Sequence, residues 1–251
     1  MKFLLMLLLT FSSLATASTS ILVNQNDRQL VQENVNEVRP LASITKLMTA
    51  MVVLDSNIDL EKKTPLINKW STILPKRMYS RLDLLTAMLV KSDNSAAESL
   101  AIDYPGGREA FMKEMNNKAK QLDMHNTSFL DPTGLSIFNV STASDIQKML
   151  VAAKSYPMIR QITTLKEAKI SNKDRKQVQQ IAFSNTNHTV LTNFENIVVT
   201  KTGLTNLAGW CVGLAVEENG QDYYIVILGS KSKQSRLDKV KELMYNYVIR
   251  N

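Results

Sequence analysis

The sequence predicts an α+β fold in which strands from both chain ends form one antiparallel sheet, with helices covering that sheet and building a second lobe. Three observations carry this. β-Branched and aromatic runs cluster at the ends, over residues 20–24 and 29–31 and again over 197–200, 210–216 and 223–228. Apolar residues at helical spacing fill the middle. A last amphipathic stretch, residues 235–249, closes the chain. Pairing the N-terminal strands with the C-terminal ones is the most economical arrangement, and it leaves a cleft between sheet and helical lobe.

The elements follow in chain order. Lys2, an apolar run from Phe3 to Phe11 and the Ala15-Thr16-Ala17 site read as a signal peptide over residues 1–17, with one mature domain over 18–251. The rival, a membrane anchor, needs roughly 20 apolar residues, about twice the run present. Asn26-Asp27 joins the first two strands as a hairpin turn. From Ser43, the residues Ile44, Leu47, Met48, Met51 and Val52 recur as in a buried helix. Ser80 with Asp83 is a helix-start signal ahead of Leu84, Leu85, Met88 and Leu89. An alanine-rich helix over 94–102 breaks at Pro105-Gly106-Gly107, and residues 108–122 form another helix. Asp131-Pro132-Thr133-Gly134 is a turn, and Thr142 with Asp145 caps a helix running through Met149. Glu218-Asn219-Gly220 joins the last two strands. In the closing helix Leu237, Val240, Met244 and Val248 share one face. That face reads as packing on the sheet, with a membrane-surface anchor as the other reading.

Composition narrows the function. The formal charge of +7 comes from scattered lysines and arginines, without the stripes and interleaved aromatics of nucleic-acid grooves. An exported basic protein meets an anionic cell envelope, or simply carries a solvated surface. Cys211 is the single cysteine, so no internal disulfide forms. It lies within an apolar strand and reads as a core thiol rather than a nucleophile. His125 and His188 are the only histidines, far apart and outside any H-E-x-x-H pattern, so no metal or other cofactor is expected. No G-x-S-x-G is present for a Ser-His-Asp hydrolase. His188 reads as a surface loop residue.

Three short motifs carry the chemistry. Ser43-Ile44-Thr45-Lys46 opens the buried helix, so Ser43 and Lys46 share a face. A serine needs a base, and a lysine is one only when its amine is neutral, which burial and a second cation favour. Ser92-Asp93-Asn94 sits at a break between helices, where Ser92 can pass a proton and Asn94 offers a donor and an acceptor. Lys201-Thr202-Gly203 ends a β-branched strand. Lys201 supplies the second cation, Thr202 can bond a carboxylate, and Gly203 lets a substrate backbone lie close. Each motif alone is common. All three in this order, separated by roughly 50 and 110 residues, are not.

This set resembles that of penicillin-binding proteins and class A β-lactamases. The run Arg39-Pro40-Leu41-Ala42-Ser43-Ile44-Thr45-Lys46 is similar to the nucleophile helix of the low-molecular-mass D-alanyl-D-alanine carboxypeptidase and endopeptidase family. Leu89 to Ala97 and Asn185-Thr186-Asn187 resemble further stretches of that family. Asp131 to Ser136 and Asn139 to Ala143 resemble its small endopeptidase branch. The resemblance implies a β-lactamase/transpeptidase-like fold. It also implies a periplasmic serine peptidase cutting D-alanyl bonds in peptidoglycan stem peptides through an acyl-enzyme, and trapping β-lactams there. Ser43 would attack, Lys46 act as base and Ser92 shuttle the proton. Asn94 would hold the substrate amide, and Lys201 and Thr202 the carboxylate region. The backbone N–H groups of Ser43 and Leu204 would form the oxyanion hole. The chain closes one helix after the sheet, without the β-rich domain and anchor of larger carboxypeptidases, which favours an endopeptidase with no stable membrane anchor. A terminal D-alanine carboxypeptidase and an inactive wall-binding homologue are the alternatives. No E-x-x-L-N motif is present, so efficient β-lactam hydrolysis is not expected.

Overall fold

The computed structural model describes residues 19–249 except 27, 68, 175 and 176, and leaves out the side chains of 172–179. The expected signal peptide lies outside the described residues, as does Asp27 of the first turn. β1 (Ser20–Gln25) and β2 (Arg28–Glu33) form the N-terminal hairpin, with Asn26 left-handed at its turn. β3 (Arg39–Pro40) leads into a 3₁₀ turn, Ala42–Ile44, and then α1 (Thr45–Asp55). β4 (Lys63–Pro65) pairs with β5 (Met78–Ser80), and α2 (Arg81–Thr86) opens on the expected Ser80–Asp83 capping box. A π turn, Ala87–Lys91, separates it from α3 (Asn94–Ile102), capped by Asp93. α4 (Gly107–Gln121) follows Gly106, whose φ of 84° suits glycine. β6 (Val140–Ser141) pairs with β3, and α5 (Ala143–Lys154) is capped by Thr142. α6 (Pro157–Thr163), the β7 (Glu167–Asp174)–β8 (Gln177–Ser184) hairpin and α7 (His188–Asn193) come next. The chain ends with β9 (Ile197–Thr205), β10 (Gly209–Glu218), β11 (Gln221–Ser230) and α8 (Lys233–Leu243), which runs into a π turn over Met244–Ile249.

The two chain ends meet as predicted. The sheet order is β2-β1-β11-β10-β9, antiparallel throughout, with Leu22 opposite Val226 and Gly213 opposite Lys201. Alternation sends side chains to two cores. Val23, Leu214, Ile225 and Ile227 pack with Leu237, Val240, Met244 and Val248, so the closing helix lies on the sheet. Leu22, Val199, Ala215 and Val226 face the helical lobe. At the centre of that lobe is α1, buried on every side from Thr45 to Val53. Cys211 is fully buried, and burial pushes its thiol up to about 11, which suits a core residue. No described helix is long and apolar enough to cross a membrane.

One expectation needs correction, and one element was not foreseen. The third motif does not end its strand: β9 continues through Thr205 because Thr202, Gly203 and Leu204 pair with Val212, Cys211 and Trp210. Residues 167–184 form a hairpin that the apolar pattern does not announce, since few of its described side chains are buried.

Candidate active site

Ser43 sits in the 3₁₀ turn, reached through Ala42 at a φ of 47°, a left-handed conformation that costs a non-glycine residue energy. The turn lifts Ser43 to the cleft while Lys46, one turn on in α1, is 0% exposed. The Lys46 Nζ donates to Ser43 Oγ at 2.9 Å, to Asn94 Oδ1 at 2.7 Å and to the Thr133 carbonyl at 2.5 Å. Burial lowers its pKa to about 7, against the opposing pull of Asp131 and Asp93. Burial thus favours the neutral amine, and the Ser43 contact is short enough for proton transfer.

Ser92 lies between the π turn and α3 in the left-handed conformation, with a φ of 64°. That kink turns its hydroxyl toward β9, where Lys201 Nζ donates to Ser92 Oγ at 2.9 Å and to the Thr202 carbonyl at 3.0 Å. Lys201 is 1% exposed. Burial, then Lys46 and Arg236, drive its pKa well below the usual lysine value. The two lysines thus each hold one serine, and Lys46 disfavours the charge on Lys201.

The loop after α4 braces the nucleophile turn. One Asp131 oxygen accepts from the Thr133 and Gly134 amides and the Thr133 hydroxyl, and the other accepts from the Ser136 amide. Burial works to raise this carboxyl, but those bonds prevail and hold it below its ordinary value. Asn139, fully buried, accepts from the Leu130 and Asp131 amides and donates to the Asp131 carbonyl and Thr45 hydroxyl. Gly134 has a φ of 86°, and a Cβ there would stand 1.9 Å from the Ala42 carbonyl oxygen. Gly203 meets the same turn from the sheet: a Cβ would lie 3.0 Å from Ala42 Cβ and from the Leu41 carbonyl oxygen.

These residues open on a cleft of about 420 Å³ whose walls include Ser43, Ser92, Thr186, Thr202, Gly203 and Leu204. Thr202 Oγ1 donates to Thr186 Oγ1 at 2.6 Å, and Asn187 Nδ2 to Thr200 Oγ1 at 2.8 Å, so the 185–187 turn is tied to β9. The sequence pattern of the D-alanyl-D-alanine carboxypeptidase family matches residues 12–232. The chain belongs to that family.

Among its relatives in the D-alanyl-D-alanine carboxypeptidase family is the D-alanyl-D-alanine endopeptidase of Escherichia coli, 41% identical over 90% of this chain and 76% of that protein. The D-alanyl-D-alanine endopeptidase of Pseudomonas aeruginosa is 40% identical over 88% of this chain and 73% of its own. Penicillin-binding protein D2 from Listeria monocytogenes, solved with ampicillin bound, superposes with a TM-score of 0.79 and 29% identity, over 90% of this chain and 95% of that one.

Within this family member the structure brings together all eight residues singled out by sequence, but it sorts them. Ser43, Ser92, Thr202, Gly203 and Leu204 line the cleft, whereas Lys46 and Lys201 lie behind the two serines and Asn94 bonds Lys46. Three features escape sequence reasoning. The Thr133 carbonyl is a backbone group that no side-chain pattern reveals. Gly203 serves packing against the nucleophile turn, beyond any approach of a substrate. Arg236 lines the cleft although it is 2% exposed; its guanidinium lies 5.7 Å from the Trp210 ring centroid and its Nε has no hydrogen-bond partner. An arginine in a helix far from every motif gives no warning of this. His188 is outside the cleft walls, half-exposed at the start of α7, with Thr192 as its side-chain neighbour.

Proposed function

We propose that the chain is an exported serine D-alanyl-D-alanine endopeptidase that cleaves peptidoglycan cross-links through an acyl-enzyme. The Ser43–Lys46 contact carries the reading: a serine hydroxyl 2.9 Å from a buried lysine amine whose pKa is about 7. Lys46 takes the hydroxyl proton as Ser43 Oγ bonds the D-alanyl carbonyl carbon. The backbone N–H of Ser43, in a first turn where such groups lack intrahelical acceptors, and that of Leu204, on the edge strand β9, receive the oxyanion. Ser92, backed by Lys201, relays the proton to the leaving nitrogen as the amide C–N bond breaks. Asn94 holds the substrate amide. Thr202 and Arg236 take the carboxylate next to the scissile bond, and Lys201 reinforces the positive field from behind. Water then hydrolyses the Ser43 ester and restores the enzyme. A β-lactam forms the same ester.

The names of the relatives at 40–41% identity support the endopeptidase specificity. Residues 1–17 act as the signal peptide for a periplasmic domain over 18–251, which meets stem peptides and β-lactams there. The test is intact-mass analysis after penicillin treatment, with peptide mapping of the adduct, followed by kcat/KM on cross-linked dimeric muropeptide and on monomeric pentapeptide. A single adduct on Ser43 and a preference for the dimer are expected. An adduct elsewhere removes the mechanism, and a preference for the pentapeptide moves the enzyme to terminal D-alanine removal.

A further inference from the structure

One carboxylate does not account for the charge in the cleft. Its walls include Lys91, Lys233 and Arg236, and no Asp or Glu. Lys91 is the last residue of the π turn that delivers Ser92. Lys233 is the first residue of α8, three before Arg236 and so on the same helix face. Neither lysine has a hydrogen-bond or ion-pair partner among the described residues.

Fold stability does not explain this placement. Cations in the first turn of a helix oppose its dipole. α5 respects the rule, with Asp145 in its first turn and Lys154 in its last. α8 has no acidic residue in its first turn and places Lys233 and the buried, incompletely bonded Arg236 there, both facing the cleft. Unpaired cations held on one wall against the helix field, with a third on the opposite wall, are arranged for an anion that arrives from outside.

We propose that Lys91 and Lys233 form a second carboxylate subsite on the leaving-group side of the cleft, beyond the Thr202–Arg236 position, and that it selects an acidic leaving segment. This rests on the cross-link reading. A single terminal D-alanine brings one carboxylate, which Thr202 and Arg236 satisfy, and leaves both lysines unpaired. A leaving segment with a further carboxylate neutralises them.

The experiment uses two synthetic D-alanyl substrates differing only in whether the second carboxylate of the leaving segment is free or amidated. They are assayed with the wild-type mature chain, Lys91→Gln, Lys233→Gln and the double variant. Wild type should prefer the free acid by about tenfold in kcat/KM, mostly through KM, as expected for two solvent-accessible ion pairs acting together. The preference should shrink in each single variant, fall to about twofold or less in the double variant, and weaken with added salt. Because each ratio is internal to one protein, a partial folding defect cancels. Equal rates on the two substrates, or a wild-type ratio retained in the double variant, would overturn the subsite alone. No release of either leaving segment, with penicillin still acylating Ser43, would overturn the subsite together with the cross-link reading.

Discussion

On the helical wall of the cleft, the polar groups around Ser43 are bonded to one another. Lys46 has three acceptors, Asp131 is saturated by its own loop, and Asn139 uses both ends of its amide. On the sheet wall the situation is reversed: Arg236 keeps an unpartnered Nε, Leu204 is 49% exposed, and Lys233 has no counterion among the described residues. The helical wall holds the atoms that react, where a small displacement is costly, so its groups restrain each other. The sheet wall holds the atoms that recognise, and its unmet bonding capacity is available to a substrate. Gly203 and Lys201 cross between the walls, one by packing on the Ala42 turn and the other by bonding Ser92.

Substitutions separate the two walls. Ser43→Ala should abolish covalent penicillin labelling while the thermal transition is retained, because the half-buried hydroxyl contributes little to packing. Lys46→Arg should slow acylation about a thousandfold, as much as Lys46→Ala, since arginine stays protonated and cannot accept the Ser43 proton. Stopped-flow acylation rates check this, and a wild-type rate in Lys46→Arg would remove the base. Gly134→Ala should lower stability by about 3 kcal/mol, because left-handed strain adds to a collision with the Ala42 carbonyl. Gly220→Ala, left-handed but facing open space, should cost only about 1 kcal/mol in the same denaturation series. Arg236→Gln should have the smallest effect on chemistry. It should raise KM for carboxylate-bearing substrates about tenfold and leave kcat for a bound substrate within about threefold.

Much of the helical wall was legible because its signals are local. Ser80 with Asp83 and Thr142 with Asp145 mark helix starts, the 94–102 helix is bounded as its sequence reads, and the serine and lysine of the first motif meet through simple helical spacing. The sheet wall was less legible because its parts converge from distant segments. Arg236 reaches the cleft only because α8 packs across β10 and β11, and Lys201 turns behind Ser92 because β9 runs on past the motif. The β7–β8 hairpin was missed for a different reason: among its described side chains Ala168, Ile170 and Phe183 are buried, too few to show strand alternation.

The central claim is that a lysine made neutral by burial activates Ser43. The direct measurement is the second-order rate of benzylpenicillin acylation as a function of pH, with the adduct mapped to Ser43. A base with a pKa of about 7 is protonated below that value and free above it. The rate should therefore climb about tenfold per pH unit on the acid side, bend near neutrality and level off above it. A rate that stays flat from about pH 5 to about pH 9, or that bends only near the ordinary lysine value, would contradict the account.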